Sequence, residues 1–226
     1  MKTLFTFFLV FTTLTNFAQS DLSFIAEDDG AFGTNYEGFW IKPSSSNKQV
    51  IGNPYLLENW NSMAVIFSTS GEKYKISNLN FDTTNESFVV KMQKDSVFVF
   101  DSSYIQKVIL NGKIYKPYIK NGENIFYQEV VVSAKGLGFL KKSIKRIKKG
   151  SKVDLFTDTN EKYVLKTYYY INKDDKIQKL KPKNKYFLKS FNYNDASKIK
   201  QYISKNNLSI KKDSDLKKIF QYYDQL

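Results

Sequence analysis

The 226-residue chain contains no cysteine and no histidine. Without cysteine it can form no disulfide bond, no thiolate nucleophile, no cysteine-based zinc site and no lipid-modified cysteine anchor. Without histidine it lacks the most common general base and metal ligand of enzymes, so Ser–His and Cys–His catalysis are excluded. Only carboxylate, lysine, tyrosine or serine chemistry remains. We therefore expect a protein that is not an enzyme and that has no cofactor and no metal site.

Arginine is nearly absent as well. The chain has 35 Lys and Arg residues against 22 Asp and Glu, a formal net charge of +13, yet Arg146 is its single arginine. Proteins that read nucleic acid usually depend on arginine, whose planar fork matches guanine edges and phosphates. The chain is rich in Lys, Asn, Phe, Tyr and Ile, which an A+T-rich coding sequence favours. We interpret most of the lysine excess as coding bias and solubility, and nucleic acid is a disfavoured partner.

The first residues have the pattern of an export signal. Lys2 is the charged start, residues 4–14 are mostly apolar, and Ala18 is a small residue suited to cleavage. The apolar run is shorter than the about 20 residues that a membrane-spanning helix needs, and no second candidate follows. We therefore predict a signal peptide over 1–18 and a periplasmic or extracellular mature protein with no transmembrane segment and no lipid anchor. Residues 19–51 have no regular strand or helix pattern, so we predict that they form an irregular lead-in to the β domain.

Residues 52–181 have the pattern of short antiparallel strands joined by turns. Asn-Gly pairs at 111–112 and 121–122 suit type I′ hairpin turns. The run Val97–Phe100 is apolar throughout, which predicts a central strand covered on both sides. Pro117 cannot donate a ladder hydrogen bond, which predicts an edge or a bulge. The predicted fold class is mainly β, an antiparallel meander, with a curved sheet or half-barrel as open possibilities.

Residues 182–226 change to helical periodicity. The apolar residues of this tail recur at helical spacing, and they include Ile199, Ile203, Leu216, Ile219 and Phe220. Asp195 and the 213–215 cluster lie where a helix start needs an acceptor for free N–H groups. We predict an α-helical hairpin packed on the β domain. A DNA-reading helix-turn-helix is disfavoured, because neither helix contains arginine.

Residues 135–152 hold eight basic side chains and no acidic one. As a helix, this segment would have one apolar stripe and basic residues on its remaining surface, which is the pattern of a membrane-surface helix. As a strand, it would present a basic edge of the kind that blocks unwanted sheet pairing. The sequence leaves both forms open. We hypothesise that the segment contacts an anionic envelope polymer or lipid surface, through the binding residues Lys141, Lys142, Lys145, Arg146, Lys148 and Lys149.

The acidic residues offer little sign of catalysis. Glu86 and Glu161 occupy similar Thr-Asn-Glu segments and could in principle form a carboxylate pair, but nothing in the sequence brings them together. The acidic run 27–29 lacks the alternating spacing of a calcium loop. Ordinary turns explain all three segments.

The overall plan resembles a family of exported bacterial proteins whose function is not established. The resemblance rests on residues 52–56, on 112–115 in the meander, and on 199–203 together with Leu216, Tyr222 and Tyr223 in the tail. It covers most of residues 52–226 and excludes the lead-in. These motifs are turn, strand and helix signals, so the resemblance implies a β meander with a helical pair and no particular activity.

Three functional classes compete. The first is a non-catalytic cell-envelope protein that binds another protein or an anionic surface, consistent with an aromatic content of 16%. The second is a periplasmic carrier that holds a hydrophobic ligand against a curved sheet. The third is a carboxylate-based hydrolase acting on glycans, which needs two carboxyl groups about 5–10 Å apart. We favour them in that order.

Overall fold

The computed structural model describes residues 23–24, 37–41, 50–91, 96–120, 122–149, 161–174 and 176–226. Within these residues the chain is mainly β with helices at its C-terminal end, as predicted. The strands are β1 (Ser23–Phe24), β2 (Gly38–Ile41), β3 (Val50–Ile51), β4 (Met63–Ser68), β5 (Lys73–Ser77), β6 (Leu79–Asp82), β7 (Ser87–Lys91), β8 (Val97–Phe100), β9 (Ile105–Leu110), β10 (Lys113–Lys120), β11 (Glu123–Val132), β12 (Gly138–Lys148), β13 (Glu161–Lys173) and β14 (Lys176–Leu180).

The expected signal peptide over 1–18, the acidic run 27–29 and most of the lead-in 19–51 lie outside the described residues. The same holds for residues 156–160, which carry the first part of the second Thr-Asn-Glu segment.

Ten of the described strands form one large, open sheet. Its order is β1-β5-β4-β9-β10-β11-β12-β13-β14, and β3 pairs with the far end of β13. From β9 to β14 each strand pairs with the next in antiparallel fashion, which is the predicted meander. Asn111 and Gly112 have φ values of 47° and 74°. The β9–β10 connection is therefore the two-residue turn that its Asn-Gly pair predicts.

Four strands form a smaller sheet in the order β2-β8-β7-β6. The predicted central strand Val97–Phe100 is β8, which lies between β2 and β7 and is buried at all four residues. The prediction for Pro117 also holds. β10 pairs with β9 only over Lys113–Tyr115, so at Pro117 its one described neighbour is β11.

The first hydrophobic core lies between the small sheet and strands β4, β9, β10 and β11. The rings of Phe81 and Phe88 contact Phe126 of β11, with centroids 6.1 and 4.9 Å apart. Tyr115 of β10 packs on the same pair of phenylalanines.

The second core joins strands β11–β14 to the C-terminal segments, which comprise a short helix (Asn184–Phe187), the penultimate helix (Tyr193–Lys205) and the C-terminal helix (Asp213–Asp224). Leu216, Ile219 and Phe220 are fully buried there, so the predicted core face of the tail is confirmed.

Both cores lie on one face of the large sheet. Alternate residues of a strand share a face, and directly paired residues of adjacent strands share it too. Phe126 of the first core is therefore level with Gln128, which pairs with Lys141, and Phe139 of the second core is on the same side. The small sheet and the helices lie side by side on that face. Between them lies a row of directly paired residues that we call the polar row: Tyr115, Gln128, Lys141 and Tyr169.

The acidic residues at the helix starts do not cap them as predicted. The penultimate helix begins after Asn192, whose Oδ1 accepts the Asp195 N–H at 2.9 Å. The C-terminal helix follows Lys212 without a side-chain cap. Asp213 turns instead to the sheet, and Asp215 accepts the Ser209 N–H at 3.0 Å. The Asp213 carboxylate is occupied by Gln128 and Lys141 of the sheet, so it does not cap the free N–H groups of the helix.

Candidate functional site

Residues Gly138–Lys148 of the basic segment form the strand β12. β12 pairs with β13 along its whole length and with β11 as far as Lys141. Beyond that point the β6–β7 turn lies beside it, and the Lys145 N–H donates to Thr83 Oγ1 at 2.9 Å. The interpretation of this strand as a basic edge is therefore wrong for residues 138–141, which lie between β11 and β13, and holds in part for residues 142–148, where β13 is the one described strand neighbour.

Strand alternation places Lys141 and Lys145 on the core face and Arg146 and Lys148 on the other. Lys142 shares the second face but is covered by Glu86 and Tyr127.

Three of the six hypothesised binding residues lie inside the fold. The side chains of Lys141, Lys142 and Lys145 are only 12%, 12% and 4% exposed. Each ammonium group is paired with a carboxylate from another part of the chain: Lys141 with Asp213, Lys142 with Glu86 at 2.6 Å, and Lys145 with Glu58 at 2.6 Å. These lysines connect β12 to the helices, to the small sheet and to the loop before β4.

The other three hypothesised binding residues, Arg146, Lys148 and Lys149, are exposed. Arg146 and Lys148 occupy alternate positions of β12, so they project from the same face of the sheet. This face is opposite to the one that carries the two cores. Lys149 follows the end of the strand.

Two further lysines complete this surface, and the sequence analysis missed them. Lys162 of β13 is directly opposite Lys148, and Lys166 is opposite Ile144 on the same face. Both lysines are exposed. Lys162 and Lys166 are four residues apart, so the sequence alone indicates that they share one face of a strand. Their position opposite β12 could not be predicted, because the sequence between the two strands is about a dozen residues long and does not specify a short hairpin turn.

We call Arg146, Lys148, Lys162 and Lys166 the cationic face. None of the four has an ion-pair partner among the residues that the structure describes. Directly paired residues have Cβ atoms about 5 Å apart, and alternate residues of one strand are about 6.6 Å apart. The four charges thus lie close together on one face of two neighbouring strands.

The cationic face is continued by aromatic and basic groups of the next strands. The Lys179 ammonium lies 4.2 Å from the centroid of the Tyr168 ring. Burial raises the pKa of Tyr170, and the nearby Tyr168 and Glu86 raise it further. Tyr127 contacts Tyr170 edge-on at 5.1 Å, and burial likewise raises its pKa. These phenols are neutral at ordinary pH and bring no negative charge to the surface.

The opposite face of the same strand pair is apolar at this end. Ile147 and Leu165 lie there and are each 47% exposed. The β12–β13 ribbon therefore separates charge from apolar surface. On the cationic face, Ile144 and Val164 are half-buried between the basic side chains.

The two carboxylates considered for catalysis do not form a pair in the described contacts. Glu86 is held by Lys142, whereas Glu161 begins β13 beside Val50. Among the described residues, no three acidic side chains gather closely enough to hold a metal ion.

Comparisons of the chain with protein-family models, with curated proteins and with solved structures give no match. No helix in the described part of the chain is both long enough and apolar enough to cross a lipid bilayer.

Proposed function

We propose that this chain is an exported, non-catalytic interaction protein of the cell envelope that binds a linear anionic polymer through the cationic face. Export is supported by the order of charge, apolar stretch and small residue at the N-terminus. The absence of cysteine and histidine supports a binding role.

One observation carries the binding proposal: Lys148 and Lys162 are directly opposite each other on the same face. Like charges in directly paired positions destabilise a sheet. Arg146 lies two residues from Lys148 on the same face, and Lys166 lies diagonally across from Arg146. Among the described residues, no carboxylate forms an ion pair with any of these four cations. A ligand with repeated negative charges would relieve the repulsion, and its released counterions would favour the complex.

The shape of the surface favours a polymer over a lipid bilayer. Interfacial membrane binding combines cations with apolar side chains that enter the acyl region. Here the well-exposed apolar residues of the ribbon, Ile147 and Leu165, point away from the cationic face. The row of charges on the two strands instead fits a chain of carboxylate, sulfate or phosphate groups lying across them.

The test uses heparin as a soluble polyanion and compares two variants of the mature protein. The binding variant replaces Arg146, Lys148, Lys162 and Lys166 with Gln. The control replaces the exposed helix residues Lys198, Lys200, Lys217 and Lys218 with Gln, so that both variants lose four positive charges. Lys141, Lys142 and Lys145 are left intact because their replacement would also break internal ion pairs.

Calorimetric titrations between about 50 and about 200 mM salt should show affinity falling with salt for the unchanged protein. The binding variant should lose at least about tenfold in affinity, and the control should stay within about threefold. Equal losses in both variants would mean that net charge alone binds heparin. Tighter, salt-resistant binding to phosphatidylglycerol vesicles would favour a membrane ligand and contradict the proposal.

A further inference from the structure

A cleft of about 330 Å³ lies on the other face of the large sheet, where the small sheet and the C-terminal helix leave the polar row uncovered. Its floor is formed by one residue from each of four successive strands, which the register places side by side: Tyr115, Gln128, Lys141 and Tyr169. Its volume is at the lower end of the range for small-molecule sites.

Tyr115 has an unused hydroxyl in this cleft. The residue is only 8% exposed, and its ring packs on Phe81 and Phe88. Tyr115 and Asp213 both line the cleft, and burial together with the nearby Asp213 carboxylate raises the pKa of the phenol. The hydroxyl makes no hydrogen bond to any residue that the structure describes. Among the described residues, the fully buried side-chain oxygens without a partner belong to Glu86 and Asn172, so the Tyr115 hydroxyl reaches the solvent of the cleft, where a ligand can hydrogen-bond to it.

The polar groups beside Tyr115 are both donors and acceptors. Asp213 accepts from Gln128 Nε2 at 3.2 Å and is paired with Lys141. Ser143 and Thr167 lie farther along the floor, with their hydroxyl oxygens 3.1 Å apart. Lys141 and Asp213 neutralise each other, so this part of the cleft has little net charge.

The remaining walls are partly apolar, and Asn111 and Lys113 add an amide and an ammonium group at one side. The cleft is lined by Leu56 and Leu57 from the loop before β4, by Leu165 of β13 and by the ring of Tyr169. The Lys141 ammonium lies 5.6 Å from the Tyr169 centroid, which leaves carbon surface of that ring to contact a ligand.

We infer that this cleft binds one neutral sugar unit, independently of the cationic face. Sugar hydroxyls both donate and accept hydrogen bonds, which suits the phenol, amide, hydroxyl and carboxylate groups of the floor. The C–H face of a sugar ring suits the leucines and Tyr169. An anion would face Asp213, a cation would face Lys141 and Lys113, and a hydrocarbon would cover the polar floor without hydrogen-bonding to it.

The inference is tested by saturation-transfer NMR on the mature protein. The probes are the methyl glycosides of glucose, galactose, mannose and N-acetylglucosamine. At least one should bind with a dissociation constant of about 1 mM or below, and Tyr115→Phe should weaken it about three- to tenfold, the worth of one hydrogen bond. Tyr127→Phe, which changes a buried tyrosine on the opposite face, is the matched control and should bind like the unchanged protein.

A second pair of variants guards against a folding defect in Tyr115→Phe. Ser143→Ala and Thr167→Val each remove one hydroxyl from the floor, and each should also weaken the bound glycoside. The inference is overturned if no glycoside in the panel binds, or if the three cleft variants bind as well as the Tyr127→Phe control. Heparin binding is unaffected by these changes under the proposed function, so the two sites fail or succeed separately.

Discussion

At the scale of single residues, the strand period and the position of the partner carboxylates together decide whether a cation of β12 is buried or exposed. Lys145 and Arg146 are adjacent in sequence, yet one is 4% exposed and ion-paired and the other reaches solvent. The sequence predicts the cluster but not this division, because the partner carboxylates are distant in sequence. Glu58 is 87 residues from Lys145, and Asp213 is 72 residues from Lys141. Only the folded register brings such pairs together.

Because the Tyr115 phenol is buried, the protein should become less stable at alkaline pH. Its folded pKa is raised above the ordinary value of 10.0 by burial and by Asp213. The unfolded phenol thus ionises first, so the free energy of unfolding is unaffected below about pH 9 and falls as the pH rises above about 10, at up to about 1.4 kcal/mol per pH unit. Tyr115→Phe should flatten this decline in urea unfolding between pH 8 and 11.

The matched control for that prediction is Tyr193→Phe, because Tyr193 is 89% exposed. It should follow the pH dependence of the unchanged protein. If Tyr115→Phe and the control have the same slope, Tyr115 is not the buried phenol that the structure describes.

At the scale of strands and helices, local pattern predicts more than it does for single residues. The Asn111-Gly112 turn, the buried strand Val97–Phe100 and the core face of the C-terminal helix follow from turn chemistry and periodicity alone. The basic segment could not be assigned, because Leu140, Ile144 and Ile147 fit a helical stripe as well as a strand. The segment forms a strand because it pairs with β11 and β13, and such non-local pairing cannot be recognised from a short stretch of sequence.

Because the C-terminal helix packs in the second core through Phe220, the substitution Phe220→Ala should greatly lower the free energy of unfolding. Phe220 is fully buried, with the rings of Phe187 and Phe191 each 6.3 Å away. Truncation should lower the free energy of unfolding by about 3–5 kcal/mol, the range for a buried aromatic ring. Lys217→Ala, on the exposed side of the same helix, should change it by less than about 0.5 kcal/mol. A similar small change for both, measured by denaturant unfolding, would show that the helix is not docked.

At the scale of the whole molecule, the large sheet separates two kinds of surface. One face carries the small sheet, the helices and the cleft between them. The other face carries Arg146, Lys148, Lys162 and Lys166 without described ion-pair partners. Net charge predicts a basic protein but cannot place the charge. The arrangement arises because β12 contributes buried, paired lysines and exposed, unpaired cations to the same ribbon.

The most direct test of the cationic face is amide chemical-shift mapping of the mature protein during titration with heparin at about 150 mM salt, where long-range attraction is screened beyond about 8 Å. The largest shifts should occur at Arg146, Lys148, Lys162 and Lys166, and the outer lysines of the C-terminal helix should shift little. Shifts spread evenly over the lysines of the chain, or concentrated on the helices, would contradict this prediction.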